Sequence, residues 1–288
     1  MSSIEDNVET VKKEMGPQVG LLWFGVMTTA YAVLKYAGSS GIEKTTDMIY
    51  FLMYCLMVIV GEYFINLSVT GSVCGDTQWG LAITVTIIPW LIIFGLMNIM
   101  LSIFPGWLTP FSNTIGYGIT KLLGISDTVN AMLLPEDSKN KDAELAKALA
   151  HIYVDKSLLI NEIPNNVEGY ETFIKKMSPL MKTDERLGDE TIENFKNILA
   201  TGENDNKAYR NIADLWSYVR LKYIVSEYIW LMLTGALVSS VSYNYIIGAG
   251  CSLSATEMKH RYDKYIDEEI AEEKRNKEQK ERMYTVTE

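Results

Sequence analysis

The chain has 288 residues, of which 48% are hydrophobic and 22% charged, with a formal net charge of −10. That balance argues against a general nucleic-acid binder, which carries a basic face or stripe, so no direct nucleic-acid binding is expected. Two distant histidines, His151 and His260, and three cysteines, Cys55, Cys74 and Cys251, supply neither a His/Cys zinc site nor a disulfide-stapled scaffold. The averages also hide two unlike halves: residues 1–125 hold 5 Lys/Arg and 8 Asp/Glu, whereas residues 126–288 hold 21 and 28. The first half is too poor in charge for an ordinary soluble domain, and the second too rich in it for a membrane bundle. The expected fold is therefore all-α: a multi-span helical membrane protein with about four transmembrane helices, a helical soluble insert and a charged C-terminal tail.

In chain order, residues 1–15 form a polar N-terminus. Residues 16–104 form a three-span membrane region, because a bilayer core of roughly 30 Å needs about 20 apolar residues in a helix. Gly16 to Leu34 is uncharged, Met48 to Val69 is apolar apart from Glu62, and Trp79 to Phe104 is uncharged with Pro89 inside. Ala30-Tyr31-Ala32 has the small-x-small form of a signal-peptidase site. The preceding residues are not net basic and the apolar run continues to Leu34, so an uncleaved first span is expected. Glu62 is the one ionisable group within a span, and such groups are functional candidates. An interfacial or helix-packing role is favoured for it over an ion site, since a coupled transporter shows several converging polar groups and interrupted helices. Here only Glu62, Asn98 and Pro89 qualify. Asn66-Leu67-Ser68 matches the glycosylation pattern, but at the membrane edge.

Residues 105–125 form a turn and an interfacial or re-entrant segment. Pro105-Gly106 is a turn dipeptide that stops the third helix, and Trp107 and Phe111 suit the headgroup layer. Thr109 is the expected N-cap of a helix with Pro110 at its first position. The run to Gly124 carries one charge, Lys121, and is under 18 residues; it is open to lying flat, re-entering or packing on the bundle. Pro105, Gly106, Trp107, Pro110 and Phe111 are the expected membrane-interface positioning residues.

The stretch from Phe104 to Tyr117 reads Phe-Pro-Gly-Trp-Leu-Thr-Pro-Phe-Ser-Asn-Thr-Ile-Gly-Tyr. It resembles the membrane-embedded minor capsid and inner-membrane proteins of large icosahedral (nucleocytoplasmic) DNA viruses. The close resemblance covers about these 14 residues, and the hydropathy layout fits most of the chain. It implies a structural protein of the virion's internal membrane, assembled from host membrane, whose candidate partners are the lipid bilayer, major or other minor capsid proteins, and further copies of itself. It supplies no catalytic residues and no cofactor.

Residues 126–211, with 16 acidic and 11 basic side chains, read as a soluble helical insert expected to fold alone. Asp142 to Ile163 places Leu145, Leu149, Ile152 and Leu159 near helical spacing, and Pro164 ends the run. Glu171 to Met181 and Asp189 to Ala200 are further helices, and His151 lies near the apolar face of its own. Residues 212–249 form a long helix ending in a fourth span: Ile212, Leu215, Trp216, Val219, Tyr223 and Tyr228 recur at helical spacing and lead into the uncharged window Tyr228 to Ala249. Such a helix suits a tether better than a gate. Residues 250–288 form a charged helical tail in which Met258, Tyr262, Ile266 and Ile270 make one sparse stripe.

No nucleophile–base pair, metal cluster or paired-carboxylate motif stands out, so the chain is read as a non-enzyme. The expected function is a structural virion membrane protein that anchors the capsid shell, through its minor capsid layer, to the internal membrane. The alternative is a small transporter or channel using Glu62. The connection from Asn66 to Gln78 has no Lys or Arg and is sent away from the cytosol. Charge in the tail favours a fifth crossing by residues 107–125, whereas the short, turn-broken, Lys121-bearing segment and the 11 basic residues of the insert favour four. Five spans are the alternative, and four spans with both termini on one side are the expectation. That topology puts Cys74 and Cys251 on one face, free to form a disulfide in an oxidising compartment.

Overall fold

The computed structural model describes residues 2–74, 77–135, 143–182, 195–197, 199, 207–248 and 255–284. For residues 2–17, 44, 207–208, 255–258, 261 and 278–284 it describes the backbone alone. The described elements are helical, apart from one isolated antiparallel bridge between Leu133 and Met181. Four helices are long and apolar enough to cross a membrane: α1 (Ser2–Gly38), α2 (Lys44–Cys74), α3 (Trp79–Ile103) and α9 (Lys207–Gly248), with candidate spans at Gln18–Gly38, Thr45–Cys74, Trp79–Ile103 and Tyr209–Gly248. The expected windows Gly16 to Leu34 and Met48 to Val69 fall within α1 and α2. The third overshoots by one residue, since α3 ends at Ile103 and Phe104 leaves helical geometry, and the fourth runs to Ala249, one residue past the described end of α9. α1, α2 and α9 start ahead of their windows because backbone hydrogen bonding continues once a helix is nucleated.

The four pack with alternating direction. Tyr31 of α1 stacks on Tyr54 of α2 at 4.7 Å, Phe24 lies 5.5 Å from Trp90 of α3, and Asn66 of α2 donates to Thr86 of α3 at 2.9 Å. α9 runs back along α1, with Gly235 against the Phe24 ring, Tyr228 beside Thr29 and Trp216 donating to the carbonyl of Ser40. A Cβ at position 235 would sit 2.0 Å from that ring, so glycine sets the approach of these two helices. Inside lie Phe24, Tyr31, Tyr54, Val58, Trp90, Phe94, Leu231 and Val238. Outside, Leu22, Val26, Leu52, Leu56, Leu91 and Ile99 are all exposed. An apolar surface of this extent marks a face that meets lipid or another protein rather than water.

Pro89 does not break α3. The helix widens into a π-turn over Ile88–Phe94, a common way to absorb a missing donor in an apolar helix. Asn98 then donates to the Phe94 carbonyl at 2.8 Å.

A second core is built from α4 (109–123), α5 (Ile125–Met132), α6 (Ala143–Val154), α7 (Lys156–Asn161), α8 (Val167–Met177) and the first turns of α9. Ile125, Val129, Leu149, Ile160, Tyr170, Ile174 and Phe195 are buried together with Ile212, Leu215, Trp216 and Val219 of α9. The domain boundary expected at 211/212 therefore cuts through a core, and so does the one at 125/126. Those divisions followed charge density, whereas the core follows the apolar face of a helix that belongs to both layers.

Other expectations change locally. The single helix expected from Asp142 to Ile163 is two, because Asp155 turns back to accept from the Ser157 amide (2.9 Å) and hydroxyl (2.6 Å) and caps α7. Asn166 caps α8 in the same way through the Gly169 amide, so that helix starts ahead of Glu171. Thr109 is already helical and makes no cap, since a 3₁₀ turn over Pro105–Leu108 feeds directly into α4. Gly124, at φ +109°, ends α4 in a left-handed conformation. His151 is exposed, and most of Asp189 to Ala200 lies outside the described residues.

The chain divides into two compact units, Met1–Ile246 and Ile247–Glu288. The second contains α10 (Ala255–Tyr284), whose Tyr262, Tyr265 and Ile270 are exposed. Its Lys264–Glu268 and Glu273–Lys277 pairs, at 3.8 Å, are exposed i,i+4 contacts worth little each.

Candidate positioning site at the junction of the two cores

The run that begins at Phe104 wraps the level of α9 where the two cores meet. Phe104 and Trp107 stack at 5.5 Å and both are exposed, while Trp107 also lies 5.8 Å from Trp230. Leu108 is buried. α4 then runs beside α9, widened by a π-turn at Ser112–Gly116. A Cβ on Gly116 would stand 2.6 Å from the Lys222 carbonyl oxygen, so this close helix contact requires glycine. Asn113 accepts from the Lys222 ammonium at 3.4 Å, and the Ile160 carbonyl (3.1 Å) and Asn161 side-chain oxygen (3.0 Å) complete its shell. Lys222 thereby joins α4, α7 and α9 through neutral acceptors. A cleft of about 250 Å³ opens beside it, lined by Pro105, Thr109, Asn113, Glu162 and Asn165.

Arg220 stands two residues earlier on α9. Side chains two apart on a helix leave on nearly opposite faces, and Arg220 indeed reaches the other way, to the last carbonyls of α1. It donates to the Lys35 carbonyl at 3.3 Å and to the Ser39 carbonyl. Gly41, at φ +71°, lets the chain turn over this guanidinium. Two turns along the same face, Glu227 pairs with Lys35 at 2.6 Å, and Tyr31 donates to its other oxygen at 3.2 Å. Ser39 donates to Asp47 at 2.5 Å, tying the start of α2 to the same knot. α9 is thus held on both sides at one level.

Apolar side chains are exposed on several elements around this junction: Ile99, Ile103, Phe104 and Trp107, then Ile115, Ile119, Leu122 and Leu123 on α4, Val154 at the end of α6, and Leu158 on α7, which packs beside α4. Lys121 neighbours Asp155.

Of the expected positioning residues, Pro105, Gly106, Trp107 and Pro110 are exposed and Phe111 is half-buried. The contacts that fix the run against α9 within the protein are made by Leu108, Asn113 and Gly116, together with Trp107 on Trp230. Lys35, Arg220, Lys222 and Glu227 were not anticipated from the sequence. Their signal is charge at the margin of an apolar window, with opposite faces at 220 and 222.

Glu62 is only 2% exposed and faces Gly20 within the bundle; its Oε1 has no hydrogen-bond partner. Cys74 is engaged in a disulfide and Cys55 is a free thiol, while Cys251 lies outside the described residues. Among the described residues, no three His, Cys, Asp or Glu side chains gather as a metal site. No protein-family profile, curated protein or solved structure matches the chain.

Proposed function

We propose that the chain is a structural virion membrane protein that anchors the capsid shell, through its minor capsid layer, to the internal membrane. In this reading the four apolar helices cross the bilayer, the second core and the charged tail are the parts presented to other proteins, and the partners are major or other minor capsid proteins. The observation that carries it is the sharing of α9. One helix of 42 residues, about 60 Å at 1.5 Å per residue, contributes to both cores and is clamped where they meet. A continuous helix held on two faces transmits position and load, which is the requirement of an anchor. The resemblance of Phe104 to Tyr117 to virion membrane proteins supplies the setting. Quantitative mass spectrometry of purified particles, before and after detergent removal of lipid, tests the proposal. Retention with shell proteins at a fixed stoichiometry is the expected result, and absence from particles would refute it.

The second reading is a small transporter or channel using Glu62, and the burial of that carboxyl favours it. Ion flux in liposomes that is lost in Glu62→Gln would establish this reading over the first.

A further inference from the structure

Six buried side-chain polar atoms among the described residues have no hydrogen-bond partner: the Trp23, Trp90 and Trp230 indole nitrogens, Glu62 Oε1, and the Ser239 and Ser242 hydroxyls. Trp230 lies apart, beside Trp107. The other five fall in one slice of the bundle. Gly20 faces the Glu62 carboxylate, where a Cβ would stand 3.2 Å from Oε2, and the Trp23 indole lies on Gly61. Phe24, one turn along α1, packs on Gly235 and lies 5.5 Å from Trp90. One turn the other way, Asn66 bonds Thr86, and Val69, Val85 and Ile246 cluster beyond it. Ser239 and Ser242 sit on α9 between Gly235 and Ile246, so helix register brings their hydroxyls to the level of Glu62 and Trp90.

Helical serines and threonines commonly satisfy their hydroxyl on the carbonyl four residues back. Ser217, Thr234 and Ser240 of α9 do so; Ser239 and Ser242 do not. Unsatisfied buried groups are few in a native protein, and each calls for an occupant or a role. Here two donor-only indoles, two hydroxyls that both donate and accept, and one carboxyl share a slice. Internal water completes such an inventory.

Water does not balance the charge. α3 carries no ionisable side chain between Trp79 and Ile103, and α9 brings only Tyr243 and Tyr245 to this end of the bundle. α2 has Tyr54, Cys55 and Tyr63 near Glu62, and α1 has Tyr31 three turns from Gly20. Lys12, Lys13 and Glu14 lie about two turns before Gly20, with side chains outside the described ones. Lys35, Arg220 and Lys222 are engaged at the opposite end. A carboxylate withdrawn from water needs a positive partner, and no described residue provides one.

We infer that Glu62, Ser239, Ser242, Trp23 and Trp90 form an internal hydrated site that holds one small monovalent cation, a proton or a sodium ion, on the Glu62 carboxyl. Glu62 carries the cation, the serine hydroxyls accept from or ligate to it through water, and the indoles donate to that water. The site rests on the spans lying in a bilayer and does not depend on net transport or on virion anchoring.

Dicyclohexylcarbodiimide is the probe, because a protonated carboxyl in an apolar layer adds its O–H across a C=N bond of the reagent and leaves an adduct that peptide mass mapping locates. Full-length protein is labelled in phosphatidylcholine liposomes, and only the inserted fraction is analysed, so failure to insert bears on the membrane reading and not on the site. The expected result is an adduct on Glu62 that forms faster in acid and is absent in Glu62→Gln. At fixed pH, slowing by sodium relative to choline identifies sodium as the occupant; no effect of sodium identifies the proton alone. In the Ser239→Ala/Ser242→Ala double variant, the adduct persists with an altered pH dependence. Absence of any Glu62 adduct at every pH in inserted wild-type protein would overturn the site. So would a labelling rate indifferent to pH, or a double variant with the wild-type pH profile.

Discussion

Lys222 shows how one side chain can hold three elements. Its ammonium has three donors, and Asn113, Ile160 and Asn161 accept from it in a setting where the residue is 4% exposed. Lys222→Met keeps the apolar stem and strands those acceptors. Leaving a buried group unsatisfied costs about 1–3 kcal/mol, so a lower thermal midpoint in detergent is expected, with the helical content of the native state unchanged. A midpoint equal to wild type would mean that the three acceptors find water. Asp155 gives a pH prediction at the same scale. Hydrogen bonds from Ser157 hold its carboxyl below the usual carboxylate range. A carboxylate with a lowered folded value stabilises the fold above its unfolded value of about 4, and that contribution fades as pH falls through the folded value. Protection of the α7 amides, measured against their intrinsic exchange rates at each pH, should therefore fall in acid in wild type, and the Asp155→Asn variant, which keeps a capping oxygen without the charge, should show a smaller acid response.

At the scale of elements, α9 belongs to both cores. A fragment of residues 126–211 lacks Ile212, Leu215, Trp216 and Val219, all buried in the second core. Burying one such side chain contributes roughly 1.5–3 kcal/mol, which is a large share of the stability of a small domain. The fragment should melt without a cooperative transition, and extension to residues 109–222 should restore one; a sharp melt of 126–211 alone would contradict the shared core. α4 carries a second element-level prediction. Leu122 is 89% exposed and Val154 87%, an apolar exposure like that of Leu91 and Ile99 on α3. If this surface lies on lipid, a diazirine-bearing phospholipid should crosslink to residues 115–123 and 154–158 in liposomes, and Leu122→Glu should reduce those adducts several-fold without unfolding the chain. Crosslinks confined to the four spans would show that the second core stands clear of the bilayer. Trp107→Ala removes the ring that stacks on Phe104 and meets Trp230, and it should lower incorporation into particles while the second core stays folded.

For the whole molecule, the four helices alternate in direction and the end of α9 clusters with the α2–α3 end of the bundle through Val69, Val85 and Ile246. The described end of α9 thus lies at the Cys74 end of the bundle, and if the four helices each cross a bilayer, the start of α1 and the end of α9 emerge on the side of Cys74. Cys74 and Cys251 should react from the same side with an impermeant maleimide in sealed vesicles, after reduction and in a Cys55→Ser background. Reaction of only one of them, with both reacting once detergent is added, would sink the four-span topology.

The sequence by itself determined the helical class, the four apolar spans and the length of α9. These rest on local quantities: runs of about 20 residues without charge, or with Glu62 alone in α2, which only a helix can carry through lipid as a single segment, and the 3.6-residue recurrence from Ile212 to Tyr228. The sharp turn at Pro105-Gly106 was legible for the same reason. Only the tertiary structure decided what Lys222, Arg220 and Glu62 face, where the second core ends, and that Asp155 divides one apparent helix into two. Each of these depends on the register of one helix against another, or on a side chain choosing its own backbone over helix continuation. Charge density and periodicity along the chain carry no record of either. The slice that holds Trp23, Glu62, Ser239 and Ser242 is the clearest case, for residues up to 219 positions apart in sequence become neighbours in level only once α1, α2 and α9 are packed.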